Sequence, residues 1–229
     1  MSNSKLVNYT KLSPNHSGKR THCIDRITPH CVVGQCSVET LGNIFMNTAC
    51  EASCNYGIGY DGRVLLCVDE GNRSWCSSSN ANDQRAVTIE CASDTTAPYT
   101  MNSKVYNKLV DLCVDICKRN GKTKLLWFGN EDKTLNYSPK SGEMVLTVHR
   151  WFANKSCPGD WLYNRLGNLA DEVTAQLSGK TTDTEEEEMI KFGAHNTATL
   201  AFKKQLITLY NMKIIKTKLI TQTVSEMVL

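Results

Sequence analysis

Val148-His149-Arg150-Trp151-Phe152-Ala153-Asn154-Lys155-Ser156-Cys157-Pro158-Gly159-Asp160-Trp161-Leu162 sets an imidazole, an ammonium and a thiol close together in the chain. The alternation Met144 to Val148 just before it predicts a strand. Pro158 suits the first turn of a helix, where its missing N–H would have no partner anyway. The segment therefore reads as strand, loop, helix. His149 leaves the strand end, and Cys157 sits at the helix start, where the positive end of the helix dipole favours a thiolate. A histidine and a cysteine presented across a short loop can share one zinc ion. A catalytic zinc takes a third protein ligand and leaves the fourth position to water.

Downstream, Leu162, Leu166, Leu169, Val173 and Leu177 repeat at helical spacing. Upstream, Lys124 to Phe128 reads as a short strand. Asn102 caps a helix running to about Asn120, with Val105, Leu109, Leu112, Cys113 and Ile116 as its apolar stripe and Gly121 as its stop. Ala86 to Cys91 is a strand whose Glu90 interrupts an apolar setting. The run from Gly71 to Asp83 is rich in Ser and Asn, carries Trp75, and is long enough for a functional loop. Asn55 to Val68 is a hairpin turning at Asp61-Gly62. Ser37 caps a short helix to Met46. Arg26 to Val33 is a strand, and Pro29 within it suggests an edge or a bulge. Strands alternating with separated helices predict an α/β domain over about residues 20–177. Residues 1–20 are polar and read as a mobile arm or irregular cover. Residues 178–189 have the composition of a linker. The helix-rich piece at 190–229 is short for a core of its own.

The chain has 229 residues, a formal net charge of +3 and 11 cysteines. So mild a charge, with no basic cluster, gives no ground for a nucleic-acid partner. No apolar run approaches the roughly 18 residues of a membrane span. No apolar core follows Met1 to Lys5, so no signal peptide is expected. Free thiols are then the default, and most of the cysteines are small buried hydrophobes.

Of the five histidines, His30 and His149 fall on predicted strands. A lone strand histidine is usually structural. Two of them with a helix-start thiol shift the balance towards a metal site of His30, His149 and Cys157, without removing the structural alternative. Cys113 and Cys117 lie one turn apart and face the core. A glutamate in an apolar strand costs several kcal/mol unless paired or protonated, so Glu90 is either a general base near a metal or a strand-end carboxylate. Lys155 is either an oxyanion partner or a surface lysine. Trp75 is either a wall for substrate or a loop anchor.

Four stretches resemble the zinc-dependent N-acetylmuramoyl-L-alanine amidases related to peptidoglycan recognition proteins, and most of all phage or prophage endolysins of clostridia and related Gram-positive bacteria. They are Ile27-Thr28-Pro29-His30, Ser53 to Gly62, Arg85 to Glu90, and Val148-His149 through Lys155 to Asp160. The resemblance covers about residues 20–177. It implies a central mixed sheet flanked by helices, with His30, His149 and Cys157 as zinc ligands. It also implies that Glu90 and Lys155 are catalytic, and that Tyr56, Trp75 and Arg150 line the groove for peptidoglycan. Some members place a catalytic tyrosine where this chain has Cys54, which leaves Glu90 as the base.

The activity implied is hydrolysis of the amide between N-acetylmuramic acid and L-alanine. The alternative is a catalytically inactive wall-binding protein of the same fold. An endolysin of this kind stays in the host cytoplasm until lysis and then acts on the wall. The tail around Phe202 to Lys218 resembles the opening of a wall-binding helical repeat.

Overall fold

The computed structural model describes residues 2–179. The tail, and the linker from Lys180 onward, lie outside the described residues. In chain order the elements are β1 (Val7–Thr10), β2 (His16–Lys19), β3 (Arg26–Cys31), α1 (Val38–Met46), β4 (Tyr56–Ile58), β5 (Val64–Leu66), β6 (Asn72–Ser74) and α2 (Asn80–Arg85). They continue with β7 (Ala86–Cys91), α3 (Ser103–Arg119), β8 (Lys124–Leu126), α4 (Glu131–Leu135), β9 (Glu143–Leu146), α5 (Asp160–Tyr163) and α6 (Leu166–Leu177). Among the described residues, seven strands form one mixed sheet in the order β1-β5-β4-β7-β3-β9-β8, and β2 pairs with β6 in a small ribbon. The β4–β5 pair is antiparallel, and the other ladders of the large sheet are parallel.

Strand alternation sorts the sheet into two chemically different faces. Ile27, Cys31, Val87, Ile89, Cys91, Tyr56 and Ile58 point to one face and join the buried stripe of α3 and the helix α6 in the larger core. Leu65 points the other way, into a smaller core with Val38, Leu41 and Phe45 of α1. Below His30 and Glu90 the second face is polar, and its side chains bond one another. Thr28 Oγ1 and Thr147 Oγ1 lie 2.7 Å apart, and Asn82 bonds both. Asn55 donates to the carbonyls of Val68, Asp69 and Asn72 and accepts from the Thr88 N–H at 3.1 Å. Buried polar groups are tolerated only when paired in this way.

The helix caps follow the sequence. Ser37 accepts from the Thr40 N–H and Asn102 from the Val105 N–H. Gly121, at φ +66, closes α3 in the left-handed region that suits glycine.

Several expectations are corrected. The N-terminal residues are ordered: β1 adds a strand to the sheet edge beside β5, and β2 pairs with β6. The supposed loop at Gly71 to Asp83 holds β6 and the start of α2. Pro29 lies in an inner strand, not at an edge or bulge. It is tolerated because β9 has left: the last β3–β9 rung is the Thr147 N–H to the Ile27 carbonyl, and Pro29, two residues on, faces that open side. The hairpin turn is longer than Asp61-Gly62, closing between the Gly59 N–H and the Arg63 carbonyl. The Asp61 carboxylate holds both the Arg63 backbone and its guanidinium, which fixes the wider loop. His149 lies beyond β9, in a single 3-10 turn His149–Trp151, and Pro158 precedes α5 without entering it.

One buried ion pair ties the hairpin side to α3. Glu70 is fully buried and accepts from Arg119 at 2.8 and 2.7 Å, from Asn120 at 3.1 Å and from the Tyr56 hydroxyl at 2.8 Å. Removing one partner strands the other charge. Glu70→Ala is expected to lower unfolding free energy by about 3–5 kcal/mol in urea denaturation. A loss below about 1 kcal/mol, the range of a surface pair, would contradict this role.

Candidate functional site

The parallel register of β3 and β7 sets His30 directly beside Glu90. Neighbouring strands lie about 4.8 Å apart, so two registered side chains on one face must meet. His30 Nδ1 is 3.9 Å from Glu90 Oε1, with the His30 side chain fully buried and the Glu90 side chain 14% exposed. Both residues stand near the carboxyl ends of their parallel strands, where open α/β sheets place their sites.

The chain after β9 brings the remaining groups to the same point. The turn at His149 sets its ring 5.1 Å from that of His30, edge to face. The loop then returns so that Cys157 Sγ lies 3.2 Å from His30 Nδ1. The ligand atoms of His30, His149 and Cys157 all fall within 4.8 Å of one another. His149 Nε2 is 2.9 Å from Ser78 Oγ, which leaves Nδ1 as its free nitrogen. Ser78 has φ 60, an uncommon value for a non-glycine residue, and strain of this kind gathers at functional sites.

Burial drives the members towards their neutral forms. It holds His30 well below the usual imidazole range, and the nearby His149 adds to this. His149 is lowered by burial and then by the Lys155 charge. Burial pushes Glu90 up to about 7, against a hydrogen bond from Cys76 that lowers it. Cys157 is pushed up by its hydrogen bond with the Cys31 thiol, then by burial and the Glu90 charge. Neutral imidazoles are the form that binds metal, and a divalent cation reverses the penalty on thiolate and carboxylate. The expected thiolate-favouring helix start is absent, since α5 is one turn long and begins at Asp160.

The donor set fits a metal ion on two further counts. Glu90 Oε2 is buried without a hydrogen-bond partner, and an orphaned atom of this kind marks a place where an ion or water belongs. Two imidazoles and a thiol are also donor types that suit zinc.

The other candidates fall differently. Lys155 is exposed on the loop, near enough for its charge to reach His149. Arg150 bonds Asp160 at 3.0 Å and the Ser156 carbonyl, and lies over the Tyr163 ring, so it braces the loop from within. Trp75 exchanges hydrogen bonds with Ser53 and donates from its indole to Ser17 at 2.7 Å, the bonding of a loop anchor. Tyr56 is corrected outright. It is fully buried on the opposite face of the sheet, its hydroxyl bonded to Glu70, and it does not line a groove.

The sequence reading missed Cys76, Ser78 and Asp83. Cys76 Sγ is 3.7 Å from Glu90 Oε1 and forms a second donor group with His30 and Glu90. Asp83 accepts from the Cys76 and Ser77 N–H groups at 3.0 and 3.1 Å and fixes their backbone. The one available signal was the length of the Ser- and Asn-rich stretch that contains all three.

The family described as N-acetylmuramoyl-L-alanine amidase matches residues 16–160. Among solved structures, PlyL superposes with a TM-score of 0.52 at 15% identity, covering 72% of this chain and 95% of PlyL. The hydrolase AmiA of Staphylococcus aureus, solved in complex with its ligand, superposes with a TM-score of 0.51 at 12% identity, covering 80% and 88%. At such identities these likenesses show a common fold. No curated protein matches the chain. The family match spans more than half of the sequence and takes in His30, Glu90, His149 and Cys157, so the chain belongs to the N-acetylmuramoyl-L-alanine amidase family.

Proposed function

We propose that this chain is a zinc-dependent hydrolase of the endolysin type that cuts the amide between N-acetylmuramic acid and L-alanine in peptidoglycan. The observation that carries the proposal is the convergence of His30, His149 and Cys157 within 4.8 Å, with Glu90 3.9 Å from His30 Nδ1.

His30, His149 and Cys157 would hold the ion, with Ser78 orienting the His149 ring through its far nitrogen. Zinc bound there supplies a Lewis acid and an acidified water. Glu90 takes the proton of the attacking water and hands it to the leaving amine. Its burial suits a base working near neutrality. Lys155 brings positive charge towards the developing oxyanion. Arg150 keeps the loop folded so that His149 and Cys157 stay together. The polar layer beneath the site, from Thr28 and Thr147 to Asn82, holds the strand ends in place and excludes bulk water.

Purified peptidoglycan incubated with the protein is expected to release free stem peptides and free muramyl lactyl groups. Cys157→Ser should lose the cleavage. Wild type that binds zinc and wall without cutting would replace the hydrolase with a wall-binding protein of the same fold. Glu90→Gln is expected to retain its zinc and lose about 10²–10⁴-fold in kcat; an unchanged kcat would remove Glu90 as the base. Ser78→Ala should weaken zinc binding by about 10–100-fold in competition with a chelator. An unchanged affinity would show that the Ser78 contact orients nothing.

A further inference from the structure

Cys76 has no part in the mechanism above, yet its surroundings are built. Asp83 clamps the backbone on both sides of it, with the Cys76 N–H at 3.0 Å and the Ser77 N–H at 3.1 Å. The Ser77 hydroxyl donates to the same carboxylate at 2.6 Å. So held, the Cys76 thiol faces Glu90 Oε1 at 3.7 Å, and the donor atoms of Cys76, Glu90 and His30 all lie within 4.8 Å of one another. Glu90 Oε2 is buried and unpartnered in the same cluster. Donors on one tetrahedral zinc, with bonds of about 2.0–2.3 Å, stand about 3.3–3.6 Å apart. The Cys157–His30 contact of 3.2 Å and the Cys76–Glu90 contact of 3.7 Å both come close to that spacing.

Two donor sets therefore share one histidine. His30 Nδ1 is the atom that faces both Cys157 and Glu90. Among the described residues the two sets do not merge into a single one. We propose that His30, Cys76 and Glu90 form a second seat for the metal ion, alternative to the seat made with His149 and Cys157. The ion pivots on His30. In the second seat Glu90 is a ligand and is no longer free to act as a base, so the enzyme is at rest. This rests on the zinc reading of the first seat.

The test uses cobalt(II) added to the metal-stripped full chain. It reads the bound metal and the near-ultraviolet thiolate-to-cobalt charge-transfer band, and each variant is matched to wild type by circular dichroism. Cys157→Ser is expected to bind cobalt still and to keep a thiolate band, now from Cys76. The double variant Cys76→Ser/Cys157→Ser should lose the band completely. A Cys157→Ser protein that binds cobalt without the band, or binds none while wild type does, overturns the second seat and leaves the first intact. Wild type that binds no cobalt overturns both.

A measurement on wild type alone serves if a variant misfolds. Zinc should slow the alkylation of both Cys76 and Cys157, followed by peptide mass spectrometry. Protection of Cys157 alone overturns the proposal.

Discussion

The site depends on one constraint, the register of two adjacent parallel strands. His30 faces Glu90 because β3 and β7 pair from Arg26–Ala86 through Cys31–Cys91 without a shift. Side chains alternate along a strand, so a slip of one residue would turn His30 into the apolar core and leave Glu90 opposite a hydrophobe. That slip is prevented from the other face. Ile27, Val87 and Ile89 are fully buried in the α3 and α6 core and have no alternative place. The apolar face thus fixes where the chemistry of the polar face must appear.

The polar face has its own cost. Thr28, Thr88, Asn55, Asn82 and Thr147 are buried, and each would destabilise the fold if left unbonded. They bond one another and nearby backbone, which joins the β2–β6 ribbon, the hairpin and the start of α2 to the sheet. At the strand ends this satisfaction stops, at His30 Nε2 and Glu90 Oε2. There His30 Nδ1 faces both Cys157 Sγ and Glu90 Oε1. Such a place, with neutral imidazoles beside protonated thiols and a carboxyl group, becomes favourable when a cation supplies the missing charge.

Much of this was legible in the residues. The stripe on α3, the caps Ser37 and Asn102, and the strands holding His30 and Glu90 follow from periodicity and local bonding. The convergence of His30, His149 and Cys157 was readable as a donor set, with the family resemblance supplying the pairing. Other features were not readable because they depend on tertiary contacts. Tyr56 looks like an aromatic of a binding hairpin, and only the sheet's two faces show that it belongs to the core with Glu70. Cys76 and Ser78 lie in a polar stretch with no periodicity, and Asp83, at the start of α2, gives their positions meaning. Pro29 reads as an edge signal until β9 is seen to leave the sheet beyond Ile27.

The central claim is that the strand register and the returning loop together make a metal site with a sulfur ligand. The most direct measurement is zinc K-edge X-ray absorption of the purified full chain. The expected shell contains one sulfur at about 2.3 Å and imidazole nitrogen at about 2.0–2.1 Å. A shell of oxygen alone, with no sulfur, would contradict the account.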